Sequence, residues 1–220
     1  MSLSDGGVVV VAFKLDQPYH VQRMLPCFKW LSYDTLIHCE FIIQTRCKSN
    51  GCNLCQLSCD PHHKHRNPNY HYLTFSVTQT HPWHMLIDAI KYYDSDKWFY
   101  LQLPTSIQSE DVVKFMMQHL DSQWNASGAL CVPFYRICSC CICNHKYSSL
   151  PQEQEQQQQQ QQNFFCSELI TIAIQTQNEQ MLPGLLPKAS SPILLYEQLK
   201  QTPGVVDLKQ QHPSSSSSRT

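Results

Sequence analysis

Two polar triplets set inside apolar runs constrain this chain more than any other feature: His38-Cys39-Glu40 within LIHCEFII, and Cys166-Ser167-Glu168 within FFCSELITIAI. The first run has the β-branched density of a buried strand. The second places Leu169, Ile170, Ala173 and Ile174 at helical spacing, with Ile172 adding a second apolar side. A buried imidazole and a buried carboxylate are costly unless they are paired or used. Residues i and i+2 of a strand share a face, so Glu40 stands where it can orient His38. Cys166 falls in the first turn of its helix, where the dipole and the free N–H groups favour a thiolate, and a nearby imidazole lowers its pKa further. The same N–H groups can hold an oxyanion. Together Cys166, His38 and Glu40 read as nucleophile, general base and third polar residue. Taken singly, each has a plain structural reading: a satisfied strand histidine, a small buried cysteine, a strand carboxylate. Glu168 fits a first-turn helix residue, and Cys39, alternating to the other face, reads as core packing.

The remaining elements follow from period. Strands are expected at Gly7 to Lys14, Leu36 to Thr45, Tyr70 to Gln79 and Trp98 to Leu103. Ser109-Glu110-Asp111 is expected to cap a helix carrying Val112, Val113, Met116, Met117 and Leu120 on one side. The helix that starts near Cys166 should end at Pro183-Gly184, and Pro192 should open a last helix through Leu194, Leu195 and Leu199. The pattern predicts an α+β fold, one domain over residues 1–200. It carries a Cys/His-rich loop insertion at 46–69, a cysteine cluster and glutamine tract at 136–162, and a flexible Ser-rich tail at 201–220. His81-Pro82-Trp83-His84 reads as a turn anchored by its aromatic ring. Tyr92, Tyr93, Trp98, Phe99 and Tyr100 read as core aromatics, with a binding wall as the alternative.

A net charge of -1 gives no bias toward nucleic acid or an anionic membrane. No signal peptide or spanning segment is evident, so a cytoplasmic, intracellular protein is expected, and its 12 cysteines are to be sought as nucleophile, metal ligands or lipidation sites before disulfides. Cys47, Cys52, Cys55 and Cys59, followed by His62, His63 and His65, have the composition of a structural zinc site, with Cys52 and Cys55 in the C-x2-C spacing. Cys138, Cys140, Cys141, Cys143 and His145 form a second cluster, open to zinc or to palmitoylation and peripheral membrane association. A zinc-braced interaction module without catalysis is the reading from a different class.

The order of these pieces resembles the circularly permuted branch of the NlpC-type papain-like superfamily, in which a strand carrying H-x-E precedes a helix that begins with the catalytic cysteine. The matching pieces are HCEF at His38 to Phe41, WFYLQLP and its following helix at Trp98 to Gln123, FFCSEL at Phe164 to Leu169, and GLLPKASSPILLYEQL at Gly184 to Leu199. Permuted members occur in poxviruses, other large DNA viruses and some bacteria, and lecithin retinol acyltransferase-like enzymes are more distant. The resemblance implies an antiparallel sheet packed on the helix of Cys166, and a thiol hydrolase that needs no cofactor. Its expected substrate is a peptide or other amide, with acyl-lipid hydrolysis or acyl transfer as the alternative. It also suggests a viral source, with a host cytoplasm as the site of action.

Overall fold

The computed structural model describes residues 7–16, 35–46, 70–77, 81–87, 96–125 and 163–208. Six strands, β1 (Val8–Asp16), β2 (Thr35–Arg46), β3 (Tyr70–Ser76), β4 (His84–Ile87), β5 (Trp98–Gln102) and β6 (Val206–Asp207), form one antiparallel sheet in the order β4-β3-β2-β1-β5-β6. Three helices accompany it: α1 (Ser109–Gln118), α2 (Cys166–Gln177) and α3 (Pro192–Gln201). The architecture is α+β.

The central place of β1 follows from its sequence. VVVVAFKLD is apolar at successive positions, as a strand covered on both faces requires. Val9, Val11 and Phe13 join the main core, whereas Ala12 is buried on the other face beside Ile42 and Trp98, with Val10 packed at its margin. On β2 the same alternation sends Cys39, Phe41 and Ile43 into the main core and His38, Glu40 and Ile42 to the opposite face.

The helices cover the main-core face. In α2, Cys166 through Thr171, Ala173 and Ile174 are all buried, because the helix lies against β2 on one side and against α1 and α3 on others. Each large apolar side chain fully buried there contributes about 1.5–3 kcal/mol. Tyr196 of α3 meets Phe13 and Phe99 edge-on, at centroid distances of 5.2 and 5.9 Å, and so docks α3 on the sheet. Asn125 N–H donates to the Phe164 carbonyl and Phe164 N–H to Gln123, so the chain leaves at 125 and returns at 163 from paired backbone.

Several expectations are corrected. Ser109 does not cap α1: Gln108 is the N-cap, its N–H donating to Gln177 Oε1 at 2.8 Å, and Ser109 is buried inside the first turn. Met117 is 42% exposed, off the apolar stripe, and Leu120 lies beyond the helix end. Helix α2 stops at Gln177, well before Pro183-Gly184, because Asn178 turns the chain by accepting from Gln180 N–H. The Pro82-Trp83 turn leads directly into β4, with Trp83 fully buried. The tail does not begin at 201: α3 runs through Gln201, and Gly204, at φ 82°, makes the turn that returns the chain to β5 as β6. No described helix is long and apolar enough to cross a membrane.

Candidate active site

The strand that carries His38 is bulged immediately before it. The β1–β2 register passes from Lys14↔His38 to Leu15↔Leu36, which leaves Ile37 as an extra residue on β2. Such a bulge bends the strand and re-aims the neighbouring side chain. His38 Nε2 then lies 2.7 Å from Glu40 Oε1, with the His38 side chain 20% exposed. Glu40 is buried, and the same Oε1 accepts a second hydrogen bond, from Ser76 Oγ at 2.5 Å. Continuing the β2–β3 register by one pair beyond Phe41↔Phe75 puts Ser76 opposite Glu40, so two adjacent strands hold the carboxylate. On the far side of His38, Trp98 stands edge-on at 6.4 Å between ring centroids.

Cys166 completes the cluster from the helical layer. The His38 ring, the Cys39 thiol and the Cys39 backbone all act on its thiol. Adjacent residues of a strand point to opposite faces. The Cys166 sulfur is thus influenced by neighbouring residues that alternate across β2. This influence corrects the reading of Cys39 as core packing alone: it is fully buried in the core and also acts on the candidate nucleophile.

These contacts separate the charges. The Cys39 thiol is the largest influence holding the Cys166 thiol well below its ordinary 9.0; burial opposes it, and the His38 hydrogen bond and charge lower it further. For His38, burial works to lower the pKa, but the hydrogen bonds and charges of Cys166 and Glu40 override it and push the imidazole up to about 10. Cys39 moves the other way, raised well above 9.0 by burial and by its neighbour's charge. These shifts favour a thiolate at Cys166, an imidazolium at His38 and a neutral thiol at Cys39.

The helix beneath the sulfur is firmly anchored. The first intrahelical bond of α2 runs from Leu169 N–H to Phe165 C=O, so the N–H groups of Cys166, Ser167 and Glu168 lie ahead of the helical ladder. Phe165 has no side-chain acceptor, and only the reciprocal half of a capping box exists: Phe165 N–H donates to Glu168 Oε2 at 3.4 Å. Burial raises the Glu168 carboxyl above the usual carboxylate range, against Phe165 N–H and Lys188, so this residue is a helix cap. Ser167 Oγ donates to the Ser190 carbonyl at 2.5 Å, and Thr171 Oγ1 lies 2.8 Å from Ser190 Oγ. All three residues are fully buried, and they tie the first turns of α2 to the turn that precedes α3.

A groove between α1 and α2 is lined by Gln108, Asp111, Lys114, Phe115, Thr176 and Gln177. At 1.5 Å per residue, Gln177 lies roughly 16 Å along α2 from Cys166, so this groove does not serve the thiol. The zinc-ligand expectation at Cys47, Cys52, Cys55 and Cys59, the second cysteine cluster, and Tyr92 and Tyr93 lie outside the described residues. Among the described residues no group of three or more metal-ligating side chains occurs. The residues missed at the sequence level are Ser76, whose place is visible only once β3 is in register, and Cys39, whose strand parity points away from His38. No protein-family model, curated protein or solved structure matches the chain.

Proposed function

We propose that the protein is a cysteine-nucleophile hydrolase of permuted, NlpC-type papain-like fold, acting on an amide or peptide bond through Cys166, His38 and Glu40. The observation that carries this reading is the convergence of three ionisable groups from β2 and the α2 N-terminus into one hydrogen-bonded cluster, with the thiol pushed down and the imidazole pushed up. The reaction is acyl transfer. The Cys166 thiolate attacks the carbonyl carbon, and the N–H groups of the first turn of α2 receive the oxyanion. The His38 imidazolium gives its proton to the leaving nitrogen, then, as neutral imidazole, takes one from the water that attacks the acyl-enzyme. Glu40, pinned by Ser76, keeps the Nε2–H bound and so fixes the tautomer whose other nitrogen serves the sulfur.

The test is the pH dependence of alkylation. Brief exposure of the native protein to a low dose of iodoacetamide, followed by mass-spectrometric mapping of all 12 cysteines, should label Cys166 first, with an apparent pKa well below ~8.5. His38→Ala should remove that selectivity. Labelling spread over other thiols, with Cys166 silent, would refute the proposal. Selective labelling justifies screening amides against acyl lipids, which share the acyl-enzyme step and differ in the leaving group.

A further inference from the structure

Ten of the 12 cysteines lie outside the described residues, and the two inside them are Cys39 and Cys166. Both are free thiols in the main core, Cys39 on the face of β2 against which the helix of Cys166 packs, and the Cys39 thiol is the largest influence on the Cys166 thiol. Packing does not require this: Phe41 and Ile43 already fill the same face of β2, and an alanine or valine at 39 would extend it. Cys39 is fully buried and Cys166 is 5% exposed, so the second thiol is supplied from within the fold. A reactive thiolate in contact with a second, protonated thiol is the arrangement that turns a transient sulfenic acid into a disulfide before further oxidation.

We propose that Cys39 is the resolving thiol of Cys166, so that peroxide closes a Cys39–Cys166 disulfide that shuts off the nucleophile and that thiol reductants reopen. This rests on the reading of Cys166 as a nucleophile. In the first step the Cys166 thiolate attacks one oxygen of hydrogen peroxide: an S–O bond forms, the O–O bond breaks, and the departing hydroxide takes the proton of the His38 imidazolium to become water. In the second, the Cys39 sulfur attacks the sulfenic sulfur. The S–S bond forms, the S–O bond breaks, and the hydroxyl leaves with the Cys39 proton as a second water. Two thiols lose two electrons, one peroxide gains them, and reversal by a dithiol restores both thiols.

The experiment treats the full-length reduced protein with hydrogen peroxide, then blocks remaining thiols and maps cross-linked peptides by mass spectrometry. Wild type should yield a dithiothreitol-reversible Cys39–Cys166 cross-link with the mass of two hydrogens lost, and with Cys166 alkylation abolished until reduction. Cys39→Ser, which keeps a donor beside the sulfur, should instead accumulate Cys166 sulfenic acid trapped by dimedone, followed by sulfinic acid that dithiothreitol does not reverse. Reactive Cys166 that goes to sulfinic acid in wild type, with Cys39 still free, overturns this inference and leaves the hydrolase reading intact. Cys166 inert to both peroxide and iodoacetamide overturns both.

Discussion

His38 and Glu40 are two residues apart on β2 and 2.7 Å apart at Nε2 and Oε1, and that oxygen is also the one Ser76 Oγ reaches at 2.5 Å. One carboxylate oxygen therefore fixes the imidazole and is itself fixed from the neighbouring strand. The hierarchy is sheet first, carboxylate second, imidazole third, sulfur last. Each group is held by one already immobilised, so the entropy of ordering the site is met by folding rather than by substrate.

Glu40→Gln preserves the shape of the side chain and removes its charge. Glu40 helps hold the His38 imidazolium by hydrogen bond and by charge, so the variant should hold the thiolate–imidazolium pair less well. The pH profile for Cys166 alkylation should move to higher pH, and a one-unit move lowers the rate at fixed pH below the midpoint by about tenfold. A profile identical to wild type would show that Glu40 is a structural strand residue without influence on the sulfur.

Ser76→Ala leaves Glu40 Oε1 with one donor fewer in a buried setting. Loss of a hydrogen bond to a buried charged group should cost about 1–3 kcal/mol, read as a lower midpoint in urea denaturation with an unchanged slope. An unchanged midpoint would indicate that the carboxylate finds another donor.

Gly7 precedes β1 at a crowded point. A Cβ there would lie 2.4 Å from Ser109 Oγ, 2.8 Å from Ser109 Cβ and 3.0 Å from the Gln44 carbonyl oxygen. Gly7→Ala must therefore push the start of α1 away from the sheet, at a cost of about 1–3 kcal/mol. Ser109→Gly removes the two closest contacts but not the Gln44 carbonyl, so the double variant should recover part of the loss. Thermal unfolding of the four-protein cycle measures the coupling.

Much of this site was legible because its residues break local rules. A histidine and a glutamate in LIHCEFII, and a cysteine opening an apolar helix, are expensive where they stand, and the structure brings them together. The four longer strands and three helices follow from periodicity, since burial decides the period. What could not be read depends on register. β4, with His84 through Ile87, is four residues long, and β6 is the pair Val206–Asp207; neither is long enough to show a period. Ser76 becomes meaningful only when Glu40 faces it across a ladder. The bulge at Ile37 has no sequence signature, yet it lies immediately before His38, whose strand parity alone would place it on the face away from Cys166.

The stability of the fold should carry the signature of the ion pair in its pH dependence. His38 has its folded pKa raised from 6.5 to about 10, so its contribution is fully present below 6.5 and is lost as pH rises toward 10. Cys166 has its folded pKa depressed below 9.0, so its contribution is present above 9.0 and is lost as pH falls through the depressed value. Above both 6.5 and the depressed Cys166 value, and up to 9.0, the two slopes oppose each other, because converting an unfolded thiol and neutral imidazole into a folded thiolate and imidazolium moves a proton without taking one up. The difference in unfolding free energy between wild type and the double variant His38→Gln/Cys166→Ser, which lacks both groups, measured by urea denaturation, should therefore be level across that window and shrink as pH approaches 10. A difference that falls steadily from 6.5 upward would mean that His38 titrates alone. The sulfur would then be a buried neutral thiol, and the nucleophile assignment would fail.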